Sequence, residues 1–278
     1  MFKIQSNTWY NFLPTQTLYG NYQLLNLDYI KFMLCAVQVE LQKLETFKDM
    51  DEKLLGYIKR VTHLDIVNCH KLLNCIPSNM MHLFSHLEKL SVNKCEYLEE
   101  IFESTDSMLQ WELVLKLFSL PKLKHIWKNH CQGFECLQYL NIKDCNDLEY
   151  VLPDVSVLTS IPYLWLIDVY KCQKMKQIIG NNCNPTDCVQ QKAKIKFPKL
   201  LNIELQKLPS LKCFSQSSFP CYIEMPKCQK IIIEDCPEMK TFWFEGILYT
   251  PGLNHLSVKN TKFDKYEDVN EVIQRHNK

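Results

Sequence analysis

Apolar residues recur in a fixed short order between Leu87 and Ile101, a stretch that reads L-x-x-L-x-V-x-x-C-x-x-L-x-x-I. The first part alternates apolar and polar positions with a period of two, which predicts a short strand. The second part places an apolar residue at every third position, which indicates a tight turn. Because a unit of this size cannot bury its own apolar face, it must stack on copies of itself. The pattern therefore predicts a repeat protein.

Copies of this unit occupy most of the 278-residue chain. Successive copies are 25 to 39 residues apart, and their L-x-L cores begin at Leu25, Leu64, Leu90, Leu115, Leu140, Ile167, Ile203, Ile231 and Leu256. We expect about nine repeats over 22–262, an N-terminal flank at 1–21, a loop insertion near 180–194 and a C-terminal cap at 263–278 with a short helix. A period near 25 favours a single elongated stack with parallel strands.

Charge and composition narrow the class of partner. Lys plus Arg number 32 and Asp plus Glu number 31, so no overall field favours nucleic acid or an anionic membrane. No apolar run has the length of a signal peptide or a transmembrane helix, which favours a cytoplasmic or nuclear location. We therefore expect a protein ligand, with no nucleic acid and no membrane as partners.

Five cysteines share one position of the repeat: Cys69, Cys95, Cys145, Cys172 and Cys236. Neighbouring cysteines of a stack lie about one strand spacing apart, roughly 5 Å, which permits a disulfide or shared metal ligation. Leucine occupies the same position at Leu120 and Leu208, however, and a site that accepts leucine is an apolar slot. We interpret these cysteines as reduced and structural, and we predict no metal site, no cofactor and no catalytic residue.

These residues resemble leucine-rich repeats, whose core reads L-x-x-L-x-L-x-x-N/C-x-L. Units with cysteine alternate with L-x-L-x-x-L-P-x-L-K units at Leu120-Pro121 and Leu208-Pro209. This alternation is similar to the C-terminal repeats of plant disease-resistance proteins. The segments Phe197-Pro198-Lys199-Leu200 and Leu123-Lys124-His125-Ile126-Trp127 strengthen the resemblance.

The resemblance implies an α/β solenoid with a parallel sheet on its concave side and an irregular or short-helical convex side. It also implies the repeat domain of an intracellular nucleotide-binding immune receptor, which senses a pathogen effector or a host protein, or holds the nucleotide switch inactive. The sequence contains no G-x-x-x-x-G-K-[ST] motif, so nucleotide binding is not carried over. The nucleotide-binding domain would then be a partner missing from this chain.

Two alternatives remain open at this level. One is a substrate-binding adaptor of the F-box leucine-rich-repeat type in ubiquitination, although those repeats usually place I-T/S-D after the cysteine and Cys95 is followed by Glu96-Tyr97-Leu98. The other is a degenerate receptor fragment without independent activity. None of the three interpretations is an enzyme.

The strand period also predicts which side chains face outward. If the L-x-L leucines are buried, the residues between and beside them line the concave sheet. In the middle of the stack these positions combine aromatic and aliphatic residues with charges, as protein-binding hot spots do. The predicted protein-binding residues are Val114, Lys116, Phe118, Tyr139, Lys143, Leu166, Asp168 and Tyr170.

Overall fold

The structure is a computed structural model that describes residues 62–70, 72–76, 81, 84, 86–103, 113–127, 136–152, 161–180, 194–216, 221–243, 246–263 and 268–276. The predicted flank at 1–21 and the predicted first repeat at Leu25 lie outside these ranges. So does the predicted loop insertion near 180–194, apart from Gly180 and Lys194 at its two ends.

Short strands dominate the described residues, and one helix follows them. The elements in chain order are β1 (His63–Val67), β2 (Asn74–Ile76), β3 (Lys89–Asn93), β4 (Glu100–Phe102), β5 (Leu113–Phe118), β6 (His125–Trp127), β7 (Leu137–Lys143), β8 (Leu166–Tyr170), β9 (Gln177–Ile179), β10 (Lys194–Lys196), β11 (Asn202–Gln206), β12 (Cys213–Ser215), β13 (Cys221–Glu224), β14 (Lys230–Glu234), β15 (Gly246–Tyr249), β16 (His255–Val258), β17 (Thr261–Phe263) and α1 (Val269–His276).

The main sheet contains nine strands in the order β1-β3-β5-β7-β8-β11-β14-β16-β17. The first eight are parallel, and β17 pairs antiparallel with β16. From Leu64 onward, the first leucine or isoleucine of each predicted core pairs with its equivalent on the next strand, as Leu64 does with Leu90 and Leu90 with Leu115. These residues are at most 1% exposed, and burial of each such side chain stabilises the fold by about 1.5–3 kcal/mol. The predicted parallel solenoid is confirmed.

A left-handed residue ends seven successive strands of the main sheet. Its φ lies between 53° and 57° at Asn68, Lys94, Ser119, Asp144, Lys171, Lys207 and Asp235. In the first six of these turns the amide of this residue donates to the last carbonyl of the next strand, as from Lys94 N to Phe118 O at 3.0 Å. In most of the turns the following residue accepts a turn hydrogen bond, as Cys95 O does from Leu98 N at 3.4 Å. Each strand therefore leads into a turn that is tied to the neighbouring repeat.

The return segments opposite the main sheet form further short parallel strands. Their sheets have the orders β2-β4-β6, β9-β12 and β10-β13-β15. The sequence pattern indicated irregular or short-helical returns, and it did not anticipate this pairing. Equivalent return segments are stacked at the same spacing as the main strands, so their backbone groups can pair with one another.

The cysteine position is an apolar slot in the structure. Cys95, Cys145, Cys172 and Cys236 are free thiols and are at most 4% exposed. The Cys95 thiol donates to Asn93 O at 3.5 Å, and burial raises its pKa to about 11. Cys69 departs from the expectation of reduced thiols because it is disulfide-bonded, and its partner is none of these four.

The C-terminal end of the stack is covered by β17 and α1. Asp268 Oδ1 accepts from the amides of Asn270 at 2.8 Å and Glu271 at 3.1 Å, which is an N-cap of the helix. Val269, Val272 and Ile273 are buried, so the helix closes the apolar end that a further repeat would otherwise cover. Within the described ranges, no helix has the length and apolar character needed to cross a membrane.

Candidate protein-binding surface

The main sheet has one buried and one partly exposed face. Along β3, Leu90 and Val92 are buried, whereas Lys89, Ser91 and Asn93 are partly exposed. The same alternation holds in β1, β8, β11 and β14. We call the partly exposed side of the main sheet, formed by these alternate positions, the open face.

All eight predicted binding residues lie together on the open face, on the adjacent strands β5, β7 and β8. The strand register adds Asn141 at the centre and arranges them in three cross-strand rows. We call this array the central patch, and its rows are Val114–Tyr139–Leu166, Lys116–Asn141–Asp168 and Phe118–Lys143–Tyr170. Neighbours in a row are about one strand spacing apart, roughly 4.8 Å, so one protein ligand can contact the whole array.

Asn141 is a component of the patch that sequence reasoning missed. It is only 7% exposed, and its Nδ2 donates to Asp168 Oδ2 at 2.8 Å and to the Tyr139 hydroxyl at 3.1 Å. These two hydrogen bonds fix the orientation of residues on either side. In the repeat alignment Asn141 stands between the charged residues Lys116 and Asp168, and this position was the available signal. The residue type alone does not reveal that the side chain is buried.

Asp168 is the carboxylate of the central patch, and its own neighbours hold it. Its half-buried position raises its pKa, and Glu204 adds to the effect, while Lys143 and Asn141 oppose it. Lys143 Nζ lies 3.6 Å from Asp168 Oδ2. Because Asp168 interacts with both Lys143 and Asn141, it helps to hold these two side chains in position within the patch.

Tyr139 packs against its neighbours at one edge of the patch. The rings of Tyr139 and Trp165 lie 5.1 Å apart between centroids, and Lys116 Nζ lies 5.5 Å from the centre of the Tyr139 ring. Trp165 immediately precedes β8 and is partly exposed. Sequence reasoning did not select it, although a tryptophan directly before a strand core was a visible signal.

Beyond β8 the open face becomes mainly polar and internally paired, with Ile232 as an apolar residue on β14. Lys230 Nζ lies 2.8 Å from Glu204 Oε1, and Gln206 Nε2 donates to Glu234 Oε2 at 3.0 Å. The central patch therefore has a polar border on its C-terminal side. In the described part of the chain, no group of three or more His, Cys, Asp or Glu side chains is placed to hold a metal ion.

Comparison with known families agrees with this geometry. The leucine-rich-repeat family of plant disease resistance proteins, RPS2-like, matches residues 33–165 and again residues 132–262. The two matches together span well over half of the chain. The chain belongs to this family. As an RPS2-like leucine-rich-repeat chain, it has a general role in protein recognition and defence.

No curated protein and no solved structure matches the sequence significantly. The family therefore supplies the type of repeat and the general role, while the residues of the RPS2-like chain itself must supply the site. In this chain the central patch is the part of the open face where aromatic and aliphatic side chains are gathered.

Proposed function

We propose that this RPS2-like chain recognises a protein ligand through the central patch and acts in plant innate immunity. The ligand is a pathogen effector or a host protein. The observation that carries the proposal is the in-register gathering of Val114, Phe118, Tyr139, Leu166 and Tyr170 on three adjacent strands. Family membership supports the general role.

The chemistry of the patch favours protein over a small ligand. Protein interfaces gather aromatic and aliphatic residues, together with polar groups, on a surface that is much larger than a small-molecule pocket. Here two rows that carry the apolar side chains flank the polar row Lys116–Asn141–Asp168, and Asn141 anchors Tyr139 and Asp168 by hydrogen bonds. Such a surface is preorganised, because its polar members are already held in place when the ligand arrives.

The proposal also covers where and how the chain acts. We place it in the cytoplasm or the nucleus, as a binding module and not as an enzyme. A second candidate occupant of the same surface is a nucleotide-binding domain outside this chain, which the repeats would hold inactive. Pathogen effector and nucleotide-binding domain would then compete for one surface.

The test is a titration with a protein ligand obtained by co-purification from plant tissue. Tyr170→Ala removes a large ring from the central patch, so we expect the complex to weaken by about 1–3 kcal/mol, or roughly 5- to 150-fold in Kd. Thermal unfolding of the variant should match that of the parent protein, because Tyr170 is partly exposed.

Tyr97 provides the matched control. It is 48% exposed, and Lys122 Nζ lies 4.4 Å from the centre of its ring, so it shares the chemistry of Tyr170. It lies in the turn after β3 and not on the open face. Tyr97→Ala should leave the affinity unchanged. Equal affinities for Tyr170→Ala and the parent protein would remove the central patch from the site.

A further inference from the structure

Two lysines from neighbouring repeats meet over one tyrosine at the border of the central patch. Lys171 Nζ lies 5.6 Å and Lys207 Nζ 5.3 Å from the centre of the Tyr170 ring. Lys143, which pairs with Tyr170 in the strand register, lies on the adjacent strand. We call Lys171 and Lys207 the lysine pair.

The lysine pair places two ammonium groups over one ring, and neither has a carboxylate partner among the described residues. Six lysines in the described part of the chain lie within 4.0 Å of a carboxylate: Lys124, Lys143, Lys174, Lys176, Lys194 and Lys230. Neither Lys171 nor Lys207 has such a contact among the described residues. Both are exposed.

The backbone holds both lysines at this place. Each has a left-handed conformation with φ of 54°, which a side-chain-bearing residue adopts at a cost in free energy, and which asparagine tolerates better than lysine. The amide of Lys171 donates to Gln206 O at 3.0 Å, and the amide of Lys207 to Glu234 O at 2.9 Å. The backbones of the two lysines are therefore fixed on adjacent turns of the stack.

Among the described residues, no carboxylate lies within 4.0 Å of either ammonium group of the lysine pair, although Asp235 acts on Lys207 at longer range. Asp168 interacts with Lys143 and Asn141. Asp144 precedes the buried Cys145 and has a left-handed backbone on the neighbouring turn. Asp235 adds to the raised pKa of Lys207, whose main cause is the interaction with the Tyr170 hydroxyl. Asp235 lies beyond 4.0 Å from the Lys207 ammonium, so an incoming carboxylate can still bind there.

We propose that the lysine pair binds an acidic segment of the protein ligand, placing Asp or Glu side chains beside the Tyr170 ring. This deepens the proposed function and rests on it, because the acidic segment belongs to the ligand of the central patch. Charge complementarity of this kind fixes the orientation of a ligand and raises its rate of association. Nucleic acid is disfavoured by the balanced charge of the chain.

The experiment titrates the full chain with a blocked hexaglutamate peptide at low salt, about 50 mM NaCl, where exposed charges are weakly screened. Asparagine replaces both lysines in Lys171→Asn/Lys207→Asn, because it suits their left-handed backbone. We expect about tenfold weaker binding of the peptide. Raising the salt to about 300 mM should weaken binding to the parent protein and reduce the difference.

The control variant is Lys174→Asn/Lys176→Asn, which removes the same charge from the repeat that contains Lys171. These lysines are exposed but already paired with Asp147 and Glu149. We expect less than about a twofold change in peptide affinity. Thermal unfolding of both double variants checks that the fold is retained.

Three results would overturn the proposal: equal loss of affinity in the two double variants, no loss in either, or tighter binding of a uridine hexanucleotide than of hexaglutamate. The proposed function has its own readout in the Tyr170→Ala titration against the protein ligand. A ligand that is sensitive to Tyr170→Ala and insensitive to Lys171→Asn/Lys207→Asn would leave the central patch in place and remove the acidic segment.

Discussion

Replacing Asn270 with alanine removes the side chain through which α1 closes the return side of the stack. Asn270 Oδ1 accepts from Phe242 N at 2.8 Å and from Trp243 N at 3.0 Å, and from the Thr241 hydroxyl at 2.9 Å. In earlier repeats the return segment is a strand that pairs with the return strand of the next repeat, as β9 pairs with β12. The asparagine side chain thus bonds the last return segment as a further strand would.

The size of the effect follows from burial and hydrogen bonding. Phe242 is 0% and Trp243 2% exposed, so both amides lose their acceptor in a largely dry environment. A buried donor left without its acceptor costs about 1–3 kcal/mol. Water can reach part of the space left by the partly exposed Asn270, and alanine has a helix propensity better by up to about 0.7 kcal/mol. We expect a net loss of about 2–4 kcal/mol in the free energy of unfolding.

The assay is urea denaturation followed by tryptophan fluorescence, together with amide hydrogen exchange at Phe242 and Trp243. Exchange at these two amides should accelerate more than exchange in β3 or β5, because opening is local. Asn270→Asp keeps the acceptor oxygen but sets a carboxylate oxygen against Trp243 O, to which Nδ2 donates at 3.3 Å, so it should retain only part of the stability.

The control on the same helix is Gln274→Ala, at an exposed position. It changes helix propensity without removing a hydrogen bond to the return segment. If Asn270→Ala lost less than about 0.5 kcal/mol, which is the range of ordinary surface substitutions, the cap would not depend on this side chain. An equal loss in Gln274→Ala would refute the reasoning in the same way.

Two further predictions concern the buried cysteines. Cys95→Leu should change the free energy of unfolding by less than about 1.5 kcal/mol, since Leu120 and Leu208 fill the same position, and loss of folding in denaturation experiments would contradict this. Burial raises the pKa of Cys95 to about 11 and of Cys236 to about 12, above the value of about 8.5 for an unfolded thiol. The folded state thus favours the neutral thiol. The contribution of each thiol to the free energy of unfolding is complete below about pH 8.5 and is lost as the pH rises towards 11–12. Between these limits the free energy of unfolding falls by about 1.4 kcal/mol per pH unit for each thiol. Cys236→Leu should make the alkaline decline in urea midpoint shallower, and an unchanged slope would count against a thiol origin.

The amino-acid sequence determined the repeat, the strands of the main sheet and the side chains that face outward. Period-two alternation at a step of about 25 residues allows only one stacking in which every core residue meets its equivalent, as Leu90 meets Leu115. Because side chains alternate along a strand, the exposed set that includes Phe118 and Tyr170 followed directly from the same register.

The tertiary structure alone decided which side chains interact across repeats. Lys171 and Lys207 are 36 residues apart in sequence, and they meet over Tyr170 because adjacent turns lie side by side and both residues are left-handed. Asn141 became the buried centre of the patch, and Asn270 the closure of the stack, through hydrogen bonds 27 or more residues away in sequence. Local periodicity fixes which face a side chain occupies, whereas its lateral partners depend on how the turns are stacked.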